Sequence, residues 1–142
     1  MKKRLCALLG VVALLPTACA NEASFRDTTW QIVNVYSNPN MPSELPGQAK
    51  MAFGSSTVTG YTGCGSFQGR VHFEPSAEEP EKMTFRDMNF QDVTCDGTQR
   101  YFHDELVTLL DGEFEAKREK DNLLLSKPGD VDRQGVRLLV SR

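Results

Sequence analysis

From residue 28 onward the sequence alternates between apolar and polar positions in short runs. In 28–36, Trp30, Ile32 and Asn34 share one side, and Gln31, Val33 and Val35 the other. The run is rich in aromatic and β-branched residues, and period-two alternation of such residues predicts a strand, because successive side chains point to opposite faces. Segment 37–47 holds Pro39, Pro42 and Pro46 beside Asn38 and Asn40. Proline fixes φ and donates no hydrogen bond, so this segment predicts a loop. Strands follow at 50–53 and 57–61, joined by a Gly54-Ser55-Ser56 turn. Two more are predicted at 67–74, with Phe67, Val71 and Phe73 inward, and at 82–90, with Met83, Phe85 and Met88 available for burial.

At 99–110 the period changes. Phe102, Leu106 and Leu109 or Leu110 recur at helical spacing and form one stripe. Asp96 or Thr98 can cap the start, and Gly112 stands where a C-cap belongs. Strands close the chain at 113–117, 123–126 and 135–140, separated by a Lys120-Asp121-Asn122 turn and a polar loop at 127–134. Short strands joined by short turns favour antiparallel pairing, and eight of them can curl into a barrel that leaves no open edge. The predicted class is mainly β (α+β). It is a small antiparallel, barrel-like eight-stranded sheet with one packed α-helix between the fifth and sixth strands.

The N-terminus has a different character. Lys2, Lys3 and Arg4 precede an apolar run over 5–15. A stable membrane span needs about 20 apolar residues, so this run is too short. A basic start, an apolar stretch and small residues after it form a secretory signal peptide. Leu15-Pro16-Thr17-Ala18-Cys19 resembles a bacterial lipobox, with Pro16 where an aliphatic residue is usual. On this reading residues 1–18 are signal peptide, Cys19 is lipidated, 19–27 is a tether, and 28–142 is the domain. More than one acyl chain converts marginal membrane binding into stable anchoring. The competing site is Ala18-Cys19-Ala20, cleaved before Asn21, which predicts free secretion.

Composition then narrows the function classes. Apolar residues at 39% and charged ones at 25% indicate an ordinary globular domain. The chain has 16 basic and 19 acidic residues. Loss of Lys2, Lys3 and Arg4 with the signal leaves 13 basic residues against the same 19, a net charge of −6. Such a balance argues against nucleic acid as a partner and repels the domain from an anionic membrane.

Of the 4 cysteines, Cys6 leaves with the signal and Cys19 is lipidated or removed. Cys64 and Cys95 remain. An even pair in an exported domain reads first as a disulfide. Two buried free thiols, a zinc site completed by His72 and His103, or a redox-active pair are the alternatives. No Cys-x-x-Cys or close-spaced ligand pair favours them.

His72 faces away from Val71 and Phe73, which predicts an exposed residue. His103 precedes Asp104 and Glu105 on the helix, and no acid–base partner follows from spacing. Asp130 and Asp132 beside Gly129 lack the ordered oxygen ligands of a calcium loop. No nucleophile elbow, phosphate loop or His-Glu-x-x-His occurs. The expectation is therefore no metal, no cofactor and no enzymatic activity. Trp30, Tyr61, Phe67 and Phe102 read as core, or as the lining of a small ligand cavity, which an eight-stranded barrel can just hold. Glu78, Glu79 and Glu81 form an acidic patch that is solvated or meets a basic partner.

Several short motifs together carry a resemblance. Thr29-Trp30, the run Gly60-Tyr61-Thr62-Gly63-Cys64-Gly65-Ser66-Phe67-Gln68-Gly69, Thr94-Cys95 before a helix, and Asn122-Leu123-Leu124-Leu125 resemble the META/HslJ domain over about residues 28–140. The usual family pattern at the first cysteine is Gly-Cys-Asn followed by Phe-x-Gly, and here Gly65 replaces the asparagine. Before the second cysteine the family often has a methionine and a small residue, where this chain has Val93 and Thr94. The resemblance implies a small antiparallel barrel with one packed helix in a bacterial envelope setting, often in lipoproteins. It also implies links to heat or envelope stress, drug tolerance, and secretion or motility in parasites, with no general catalytic activity. The expected function is that of a non-enzymatic envelope lipoprotein domain in a structural or protein-interaction role linked to envelope stress. Its expected partners are the membrane, through the lipid, and an envelope protein. The alternative is a small-ligand-binding or inhibitory module on a lipocalin-like barrel, its ligand unknown.

Overall fold

The computed structural model describes residues 24–37, 43–44, 48–129 and 133–142. The expected signal peptide over 1–18, Cys19 and the Asp130 and Asp132 pair lie outside the described residues. The strands are β1 (Thr29–Tyr36), β2 (Ser43–Glu44), β3 (Lys50–Phe53), β4 (Thr57–Tyr61), β5 (Ser66–Glu74) and β6 (Lys82–Phe90). The helix α1 (Gly97–Leu109) follows, then β7 (Gly112–Glu119), β8 (Asn122–Ser126) and β9 (Gly135–Val140). From β3 to β9 each strand pairs antiparallel with the next, and β9 pairs back onto β1. The eight predicted strands thus form a closed antiparallel barrel. The added β2 falls within the predicted 37–47 loop. It pairs with β1 at Asn34 and Val35, while β3 takes Thr29 to Gln31.

Two irregularities shift the phase that simple alternation predicts. Ile32 pairs with Leu138 and Asn34 with Arg137, so Val33 is an extra residue in β1. After this bulge Val35, 1% exposed, takes the inward place expected of Asn34. In the β5–β6 pair the register slips between Gln68 and Arg70, opposite Asp87 and Met88. Asp87 absorbs the slip with φ of 52°, a left-handed conformation that aspartate tolerates better than most residues.

Antiparallel order puts the β4–β5 loop, both connections of α1 and the β8–β9 loop at one end of the barrel. The β3–β4 turn, the β5–β6 loop with its cis Glu74–Pro75 bond, and the β7–β8 turn lie at the other. The helix closes the first end. Its stripe of Phe102, Leu106 and Leu109 is buried, as is Leu110. It starts at Gly97, two residues before the predicted start, behind an extended Asp96 whose side chain makes no capping bond. It ends at Leu110 as C-cap, so Gly112 is not the cap but the first residue of β7, paired with Phe85.

Phe25 closes the second end. Its ring stacks on Phe53 at 4.8 Å, meets Phe73 edge-on at 5.7 Å and lies 5.8 Å from Trp30. The indole N–H of Trp30 donates to the Phe25 carbonyl at 3.3 Å. Phe25 is 2% exposed. The stretch 19–27 expected as a tether therefore ends in packed structure, with the Phe25 ring filling that mouth.

Candidate functional site

The most elaborate constellation lies at the helix end. After β4 the chain turns through Thr62, Gly63, Cys64 and Gly65 before β5. Gly63 has φ of 98°, which a side chain would strain. The turn closes with the Thr62 N–H donating to the Gly65 carbonyl at 3.0 Å. It presents Cys64 to Cys95, and the two form a disulfide with Cα atoms 5.9 Å apart. Cys95 stands two residues before α1, so the bridge staples the β4–β5 loop to the start of the helix.

A second tie runs beside the first. Thr62 and His103 are buried, His103 at 5% exposed, with Thr62 Oγ1 2.7 Å from His103 Nδ1. The hydroxyl also accepts the N–H groups of Cys64 and Gly65, each at 3.3 Å. The Phe90 ring meets the imidazole edge-on at 6.2 Å. A hydroxyl against an imidazole has the look of an activated nucleophile. This oxygen is buried and holds two backbone donors, so the pair pins loop to helix.

Burial lowers the pKa of His103 below 6.5, Asp104 opposes the shift, and Arg100 adds to it. The unfolded chain takes up this proton at the ordinary value and the folded chain only at lower pH. Between the two the unfolded state binds more protons, so stability rises with pH. The contribution of neutral His103 is complete above 6.5 and is lost as pH falls through that value toward the folded pKa. Thermal unfolding from pH 7 down to pH 5 is expected to show a falling midpoint, and His103→Gln to flatten that slope.

Gly65 and Val93, the two departures from the pattern that the chain resembles, meet in this corner. A Cβ on Gly65 would stand 2.6 Å from Val93 Cγ1. Gly65→Ala is therefore expected to cost about 1–2 kcal/mol by overpacking. Adding Val93→Ala should recover part of it, a coupling that a double-mutant cycle in urea measures.

The other predicted positions separate. Trp30, Phe67 and Phe102 lie in the core. Tyr61 does not. It pairs with Lys50 and Ser66 on the outward side of β4 and is half-exposed. Gly60 takes the inward place, because the Phe67 ring fills it: a Cβ there would come within 2.3 Å of Phe67 Cζ. Inward side chains such as Ile32, Met83, Phe85, Phe114, Leu125 and Leu138 fill the barrel. His72 is exposed, 3.5 Å from Glu74. Of the acidic patch, Glu78 is held by Arg26 at 2.7 Å. Among the described residues no group of three or more His, Cys, Asp or Glu could hold a metal ion.

Two clefts on the outer surface mix both signs of charge. One of about 810 Å³ is bordered by Glu81, Lys82, Glu115, Lys117, Leu124 and Arg133. Another of about 710 Å³ borders Phe25, Glu78, Glu79, Arg118 and Lys120. The guanidinium of Arg118, which borders this second cleft, lies 5.3 Å from the Trp30 ring centroid. Lys127 lies 4.2 Å from that of Phe114, and burial lowers its pKa against the pull of Asp111.

Sequence comparison adds the lineage. The pattern of the META domain matches residues 23–141. The chain belongs to the META domain family. The match begins before residue 28, in keeping with the burial of Phe25 in this META domain. Among solved structures, the NMR structure of a protein from Burkholderia xenovorans superposes with a TM-score of 0.62 at 12% identity, covering 82% of this chain and 83% of that one. A second NMR structure gives 0.59 at 13% identity, over 82% and 91% of the two chains. At such identities the likeness speaks for the fold alone. No curated protein matches the sequence.

Sequence reasoning missed the Phe25 seal and the Thr62–His103 tie. The only advance signal for the first was a lone aromatic residue close before β1. The second had none, because 41 residues separate the partners.

Proposed function

We propose that this META domain is exported, anchored by lipid at Cys19, and works as a non-enzymatic interaction or structural module of the cell envelope. The observation that carries the reading is the Cys64–Cys95 disulfide in a chain whose first residues have the form of a signal peptide. Such bridges persist in oxidising compartments outside the cytosol. The packed interior weighs against a ligand held inside the barrel, so contacts fall to the outer surface. Cell fractionation tests the anchor. The protein is expected in the membrane fraction and Cys19→Ala in the soluble one; an unchanged distribution would contradict the lipid anchor.

A further inference from the structure

The barrel leaves few large apolar side chains in water. Among the described residues they are Tyr101 at 51% exposed, Val107 at 39% and Leu124. Two of the three lie on α1. Tyr101, Asp104 and Val107 are spaced three apart, so they form one ridge on the helix surface. The core stripe of Phe102, Leu106 and Leu109 is a different face. The helix thus carries a second, apolar and acidic face that the barrel does not use.

Charge narrows what fits there. Between Gln91 and Asp111 the chain carries five carboxylates against one guanidinium, and Lys127, whose ammonium donates to the Asp111 carbonyl, adds one cation from the β8–β9 side, which leaves a net charge of −3 with His103 neutral. That guanidinium, Arg100, is already paired with Asp104 at 3.0 Å and donates to the Val93 carbonyl. The opposite end is acidic in its loop but balanced. Arg26 holds Glu78, and Arg118 and Lys120 border the same cleft as Glu79 and Glu81.

Position adds to this. Ser24, the first described residue, lies at the Phe25 end, with α1 at the other. Five residues from Cys19 reach at most about 17 Å when fully extended. An anchored protein therefore keeps its Phe25 end by the bilayer and leaves the α1 end free to meet other molecules.

We propose that the exposed face of α1 is the docking surface for a basic protein segment, rich in Arg or Lys with apolar residues between. The carboxylates supply the attraction. The Tyr101 ring takes a cation on its face, and Val107 takes an aliphatic side chain. The orientation rests on the anchored reading; the binding does not.

The test uses the full processed protein and a fluorescein-labelled peptide of alternating Arg and Leu, followed by fluorescence anisotropy. A Glu–Leu peptide serves as control. The Arg–Leu peptide is expected to bind, more weakly as salt rises, and the Glu–Leu peptide not to bind. Tyr101→Ser with Val107→Ser is expected to weaken binding about tenfold or more with only a small fall in the unfolding midpoint, since each side chain is partly exposed and Tyr101 touches the core only through the edge of Phe102. Glu79→Gln with Glu81→Gln at the other end is expected to leave binding unchanged. No binding, an unaffected Tyr101/Val107 variant, or an equal loss in the Glu79/Glu81 variant would overturn the proposal, the last by showing attraction to the acidic body as a whole. Binding to phosphatidylglycerol vesicles that the Tyr101/Val107 variant abolishes would overturn it in favour of a membrane. A processed mass beginning at Asn21 would remove the anchor and the orientation while leaving the peptide result to stand or fall separately.

Discussion

Phe25→Ala is expected to cost about 3 kcal/mol of stability, a large share of what a domain of this size holds. The side chain is stacked on Phe53, edge-on to Phe73 and near Trp30, and its backbone carbonyl accepts the indole N–H. Truncation would leave three aromatic rings facing a void. The estimate sits at the low end of the usual range for such truncations, because Phe25 borders an open cleft and water can reach the site. Urea unfolding measures it as a lower midpoint at constant slope. A change under about 0.5 kcal/mol, the usual size for a surface position, would mean that the domain proper begins at residue 28 and that Phe25 is part of the tether.

The second large effect concerns the bridge. Cys64→Ser with Cys95→Ser is expected to cost about 3–4 kcal/mol in the chain-entropy account, since the disulfide closes a loop of 31 residues. Reducing the unaltered protein should bring its urea midpoint to that of the double variant, and reductant should leave the double variant where it is. An unchanged midpoint on reduction would show that the staple adds nothing to the buried α1 stripe and the Thr62–His103 tie. Phe25 and the bridge sit at opposite ends of the barrel, so their losses should add to within about half a kcal/mol.

Much of the barrel could be read from the chain because its strands are local events. In Lys50–Phe53 and Ser66–Glu74 the inward residues alternate cleanly, and the helix stripe of Phe102, Leu106 and Leu109 has its own period. The misreadings share a cause. The bulge at Val33 is set by the register of β9, which lies a hundred residues away in sequence, and it moves the inward place from Asn34 to Val35. Tyr61 faces outward because Phe67 on the next strand claims the space over Gly60. Phe25 is buried only because Phe53 and Phe73 converge on the same mouth. The Thr62–His103 tie likewise exists only once α1 folds back over the β4–β5 loop. The cysteine pair was legible for another reason: its assignment followed from count and compartment, and needed no geometry. The function of the outer surface has no such local signature. Exposed Tyr101 and Val107 follow the helical period as faithfully as their buried neighbours, and only the closed barrel shows which face is spare.

Anchor and bridge are both read in the intact mass of the processed protein taken from the envelope of its own host. A chain beginning at Cys19, carrying acyl groups and two hydrogens lighter than its fully reduced form, is the expected result. An unmodified chain beginning at Asn21 would contradict the anchor, and a mass showing two free thiols at Cys64 and Cys95 would contradict the bridge on which the helix end of the barrel depends.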